Sequence, residues 1–83
     1  MSETIKRIKD LITEPMTKMG LLVCEINYVT ENKYHFLKIT LDKVNGIDLD
    51  TIVEATNIIN PILDEYDLID EEYILDVSSK ERG

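Results

Sequence analysis

Lysine and arginine are missing from the whole stretch between Val44 and Ser79, which carries ten acids: Asp48, Asp50, Glu54, Asp64, Glu65, Asp67, Asp70, Glu71, Glu72 and Asp76. A surface built from that half repels phosphate backbones and attracts basic partners, which argues against direct binding of free nucleic acid. Residues 1–43 balance six acids against seven bases, so the net charge of −8 is concentrated in the second half. Cysteine occurs once, at Cys24. That rules out an internal disulfide and a zinc site built from cysteines, and points to a packing role in the core. Histidine also occurs once, at His35, so Ser78 and Ser79 have no second histidine to serve as a base, and no Gly-x-Ser-x-Gly surrounds them. No apolar run approaches the ~20 residues that span a bilayer. Glu3, Lys6, Arg7, Lys9 and Asp10 interrupt the first dozen residues, unlike a signal peptide. A cytoplasmic address without membrane attachment is expected.

What is present suits one modest core. The 83 residues, 43% of them apolar, are enough for one domain and too few for two. Ile5, Ile8, Ile12, Met16 and Met19 recur at spacings of three and four, which predicts a helix over residues 3–19, capped by Ser2 and ended by Gly20. Pro15 inside it should kink or break the helix near Glu14. Residues 21–29 and 34–42 alternate with a period of two around Thr30-Glu31-Asn32-Lys33, the pattern of a hairpin with a four-residue loop. Setting Val29 opposite Tyr34 gives Leu22, Cys24, Ile26 and Tyr28 one face with Leu41, Ile39, Leu37 and His35, and places Glu25 across from Lys38.

Asn45-Gly46 marks a turn and Asp48 is placed to cap a second helix over residues 49–64, whose apolar stripe reads Leu49, Ile52, Val53, Thr56, Ile59, Leu63. Pro61 should distort its last turn. After an acidic connection, Tyr73, Leu75 and Val77 alternate with Ile74, Asp76 and Ser78 as a third strand. The order α-β-β-α-β predicts an α+β, two-layer sandwich, with a three-stranded mixed sheet and both helices on one face. The third strand should run parallel to the second, and it is expected beside the first. Residues 1–79 form the domain and 80–83 a C-terminal tail.

Candidate sites are few. His35 at the hairpin end, across from Tyr28, suits packing better than catalysis, and no catalytic residue, cofactor or metal is expected. Asp42, Asn45, Gly46, Asp48, Asp50 and Glu54 crowd one loop. With Gly46 at the glycine position of a calcium loop, however, Leu41, Lys43 and Ile52 would fall at ligand positions, so capping explains these acids better. Asp64, Glu65, Asp67, Asp70, Glu71 and Glu72 put six carboxylates into nine residues, two of them at the C-terminal end of the second helix, where the macrodipole disfavours negative charge. Charge kept where it is costly suits a basic partner. A second candidate interface is the outer sheet face, where Val29, Tyr34 and Phe36, with Val23, would form an apolar patch suited to a weak homodimer.

Three stretches carry a family resemblance: Glu14-Pro15 with Met19-Gly20-Leu21-Leu22-Val23 and Glu25-Ile26-Asn27-Tyr28-Val29; Gly46-Ile47-Asp48-Leu49-Asp50 leading to Ile62-Leu63-Asp64-Glu65; and Tyr73-Ile74-Leu75-Asp76-Val77-Ser78-Ser79. Together they resemble the N-terminal domain of the ribosome maturation factor RimP family. The resemblance implies this order of elements and a factor that binds the small (30S) ribosomal subunit during its assembly, with an acidic first domain followed by a β-barrel. Where the family continues Pro-Gly and then Arg-Pro-Leu, this chain reads Lys80-Glu81-Arg82-Gly83, and Arg82 cannot be matched without a gap. A fragment or a shortened relative without the barrel is the expectation. The arrangement is also KH-like, but it lacks the Gly-x-x-Gly loop that grips RNA. Binding to a basic ribosomal protein on the small subunit is the expected function, and a self-associating or adaptor module with no ribosomal role is the alternative.

Crowded acids without bases repel one another in the folded state, and salt screens that repulsion. The thermal midpoint should therefore rise from low salt to about 0.5 M sodium chloride, as the Debye length falls well below ~10 Å. A flat or falling midpoint would mean that the acids are dispersed, or paired with Lys6, Lys9 or Lys43.

Overall fold

The protein is described from a computed structural model over residues 2–80. The elements run α1 (Ser2–Lys18), β1 (Leu22–Glu31), β2 (Tyr34–Asp42), α2 (Leu49–Tyr66) and β3 (Ile74–Ser79), the expected α-β-β-α-β order. The Ser2 side chain, expected as a cap, and residues 81–83 of the tail lie outside the described part.

In α1, Ile8, Ile12 and Met16 are fully buried, with Ile5 and Met19 packed against them. Of the kink or break expected near Glu14, the break does not occur: the helix continues through Pro15. It ends in a Schellman arrangement: Gly20 turns left-handed (φ +79°), its N–H donates to Thr17 O, and Leu21 N–H donates to Met16 O, both at 2.9 Å. Leu21, buried beside Met16 in the core, completes the motif.

The hairpin departs from the expected register. Strand β1 extends to Glu31, and the turn is only Asn32-Lys33, both left-handed at φ 50° and 74°, as a two-residue type I′ turn requires. Glu31 therefore opposes Tyr34, Ile26 opposes Ile39, and Glu25 opposes Thr40 rather than Lys38. Lys38 lies across from Asn27 and pairs instead with Glu31 at 3.3 Å. The register has moved by two residues, which preserves the alternation of faces, so the alternation alone could not distinguish the two pairings. Between Val23 and Glu25 the ladder contains a bulge. The extra residue, Cys24, is exposed instead of buried beside Ile39, Val23 packs on the core side, and Leu22 is left 60% exposed.

Strand β3 pairs parallel to β2, with Leu37 opposite Leu75 and Ile39 opposite Val77. The sheet order is β1-β2-β3, so β3 lies beside β2 and not beside β1 as expected. The physical reason is the inner face of β2: Leu37, Ile39 and Leu41 have no exposed surface, and such a strand is best covered when flanked on both edges. Helix α1 packs over β1, α2 over β3, and the helices touch each other above one shared core.

Helix α2 begins at Asp48, whose Oδ1 accepts the Thr51 N–H at 2.8 Å. Those bonds from Thr51 hold the Asp48 carboxyl below its ordinary value. The helix continues through Pro61 to Tyr66, two residues past the expected end, and closes on a left-handed Asp67 whose N–H donates to Leu63 O. Its buried line is Ala55, Ile59 and Leu63, with Ile52 and Ile62 partly buried. Leu49 and Val53, expected in the stripe, are 76% and 51% exposed. The connection after α2 is not wholly a solvated segment, because Ile69 is buried and Leu68 packs against the core.

The tight turn makes a prediction of its own. Lys33→Gly should raise stability by roughly 0.5–1 kcal/mol, the left-handed penalty of a side chain less the added chain entropy of glycine. Denaturant unfolding measures it, and a loss of stability would argue for a longer loop.

Candidate partner-binding site

The acids come together because apolar residues pin the chain that carries them. Leu63 at the end of α2, Ile69 in the connection and Leu75 on β3 all pack into or against the core, so the polar residues between them are turned outward. The result is a groove of about 690 Å³ with Leu63, Ile69, Tyr73 and Leu75 among its lining and Asp64, Asp67, Asp70, Glu71 and Glu72 around them, joined by Thr56 and Asn60. Five of the six acids singled out in the sequence thus line one groove. Glu65, exposed on α2, is not among them. None of the lining residues is basic, and α2 has no base in its last turn to offset its dipole. Tyr73 registers this field: partial burial first, and then the nearby Asp64 and Asp67 carboxylates, raise its phenol above the usual tyrosine value.

A second groove, of about 470 Å³, adjoins the first through Glu71, Glu72 and Tyr73 and continues to Lys33, Tyr34, His35 and Ile74. At the junction, His35 Nε2 lies 2.8 Å from Glu71 Oε2, and the Tyr28 hydroxyl donates to the same oxygen at 3.3 Å. The backbone partner of His35 is Thr30 rather than Tyr28, yet the Tyr28 and His35 rings stack, with centroids 5.6 Å apart and planes 11° from parallel. On its other side the imidazole Nδ1 meets Thr30 Oγ1 at 3.0 Å. Sequence reasoning placed His35 near Tyr28 but missed Glu71 as its partner, because no local spacing links two residues 36 positions apart.

The outer sheet face is arranged in rows. Val29 opposes Phe36, which opposes Ile74; the next row is Asn27, Lys38 and Asp76. Val29 and Phe36 are therefore neighbours, as expected, and Tyr34 lies one row towards the turn, 61% exposed. The bulge removes Val23 from this face, and Ile74, not anticipated, takes a place in it. Lys38 Nζ lies over the Phe36 ring, 5.9 Å from its centroid. Among the described residues no three His, Cys, Asp or Glu side chains are grouped to hold a metal ion, and no helix is long and apolar enough to cross a membrane.

Residues 11–80 match the family model of the RimP N-terminal domain, from the middle of α1 to the end of β3.

Partial burial, then the Glu71 charge beside it, pushes the Tyr28 phenol above its usual value. Because a carboxylate opposes formation of a phenolate, Glu71→Gln should lower the Tyr28 pKa. Ring resonances followed by NMR through alkaline titration would detect this, and an unmoved Tyr28 would mean that the two groups are not neighbours.

Proposed function

The chain belongs to the RimP N-terminal domain family of ribosome maturation factors, and on that premise we propose that it assists assembly of the small ribosomal subunit by holding a basic ribosomal protein surface in the acidic groove. The observation that carries this reading is the convergence of Asp64, Asp67, Asp70, Glu71 and Glu72, from a helix end and a separate connection, on one groove with apolar residues in its wall and no base. Lysine and arginine suit such a groove doubly. Their charged heads meet carboxylates while their aliphatic stems cover Leu63, Ile69 and Tyr73. Phosphate does not suit it, so the domain acts on protein and not on free RNA.

In this reading the protein is a cytoplasmic binding domain and not an enzyme. Thr30, His35 and Glu71 do lie in the order of nucleophile, base and acid, but the imidazole is committed to stacking on Tyr28. We assign these residues a structural role and not a chemical one. The alternative, self-association or an adaptor role, draws on the outer row of Val29, Phe36 and Ile74 with the exposed Tyr34.

Co-sedimentation with immature small subunits, and titration with isolated basic ribosomal proteins, test the proposal. The chain should bind both and leave free RNA unbound, and binding should weaken as salt rises. Asp64→Asn, Asp67→Asn, Asp70→Asn and Glu72→Gln combined should reduce binding at least ~10-fold while keeping the fold, since all four are exposed. Tyr34→Ala should leave binding intact. Unchanged binding by the neutralised chain would clear the groove of the role, and loss on Tyr34→Ala would move it to the outer face.

A further inference from the structure

The acids of the groove are not equivalent. Among the described residues, no ion pair or hydrogen bond engages the carboxylates of Asp64, Asp67, Asp70 or Glu72, whereas Glu71 Oε2 is held by two donors on a different part of the fold. His35 stands on β2 and Tyr28 on β1, so both strands of the hairpin reach the same oxygen. The imidazole that does most of the holding is itself fixed, by the stack on Tyr28 and the Thr30 hydroxyl. In the neutral ring, Nε2–H donates to Glu71 and Nδ1 accepts from Thr30. In the protonated ring the first bond persists and the Thr30 hydroxyl becomes the acceptor. The contact therefore survives either charge state.

The connection that carries Asp67, Asp70, Glu71 and Glu72 is anchored at both ends: Asp67 N–H bonds Leu63 O, Leu68 packs against the core and Ile69 is buried in it, and Tyr73 packs against the core just before β3. Between Ile69 and Tyr73 the chain passes Asp70, Glu71 and Glu72, all exposed. Glu71 is the member of that run tied to the hairpin, and it lines both grooves at their junction. We propose that Glu71 serves as a latch rather than as a partner-binding carboxylate, and that His35 and Tyr28 are positioning residues which set the acidic connection in place from the opposite side of the fold. The part of this concerning affinity rests on the reading of the groove as a site for basic protein.

Two measurements test it. The first needs no partner: backbone order parameters of residues 68–72 in the free chain, from nitrogen-15 NMR relaxation. His35→Ala should lower them by about 0.1 or more while those of α1 stay as in the parent. His35→Gln, which restores an N–H donor, should return them towards the parent. Tyr28→Phe, which removes only the hydroxyl, should have a smaller effect in the same segment and serves if His35→Ala fails to fold. Unchanged order parameters in both His35→Ala and Tyr28→Phe would overturn the latch whatever the groove binds.

The second is a double-mutant cycle read with a ten-residue lysine- and arginine-rich peptide. His35→Ala and Glu71→Ala should each weaken its binding about two- to five-fold, and the double variant should be no weaker than Glu71→Ala alone. Tighter binding by His35→Ala, as expected if it frees a carboxylate that touches the peptide directly, would overturn the assignment. A parent chain that does not bind the peptide would count against the groove reading, while the order parameters would still decide the latch.

Discussion

Burial of the inner face of β2 is the constraint on which the other elements depend. Leu37, Ile39 and Leu41 are entirely removed from solvent, each contributing on the order of 1.5–3 kcal/mol relative to an exposed position. No single neighbour can cover three consecutive inward positions on a strand. Strand β1 closes one edge and β3 the other, while Ile8, Ile12 and Met16 of α1 and Ala55, Ile59 and Leu63 of α2 fill the layer above. Once β2 is central, the parallel return of β3 requires α2 to cross the helical face of the sheet, and the segment leaving α2 must then come back past the turn end of the hairpin. The acidic connection is where it is because of that route.

The same route explains how so much like charge is tolerated. An isolated segment with the composition of residues 64–72 would stay extended and solvated. Here Leu63, Leu68 and Ile69 supply apolar anchors at its start and middle, so the carboxylates share one surface without entering the core. The cost falls on Tyr73, whose phenol is half-buried under the field of Asp64 and Asp67, and on the end of α2, where Asp64 stands against the dipole. Membership of the RimP N-terminal domain family gives that arrangement its context.

Element order and type were legible because each segment carries its own period. Ile5, Ile8, Ile12 and Met16 define α1 without reference to anything else, and Leu37, Ile39 and Leu41 define the inner side of β2. Relations between segments were less legible. The hairpin register turned on whether Asn32-Lys33 would accept two left-handed residues, and a lysine gives weaker notice of that than a glycine. The bulge at Cys24 leaves no compositional mark. In α2 the small Ala55 occupies the buried line, while the larger Leu49 and Val53, which dominate any hydrophobic count, lie outside it. For the site, the carboxylate run was plain, but its grouping was not: Glu65 falls away from the groove, and Glu71 finds partners on β1 and β2 that only the tertiary fold could reveal.

Strand β1 is ten residues long and lies at the edge of the sheet, which would ordinarily make it a template for another extended chain. The bulge at Cys24 breaks that template. On the turn side of it the unpaired backbone groups follow one spacing, and beyond it they are offset by a residue, so an incoming strand cannot stay in phase along the full length. Glu25 and Glu31 add charge along the same strand. The irregularity that brings an apolar Leu22 and a thiol to the surface thus also shortens the regular stretch of this edge to residues 25–31.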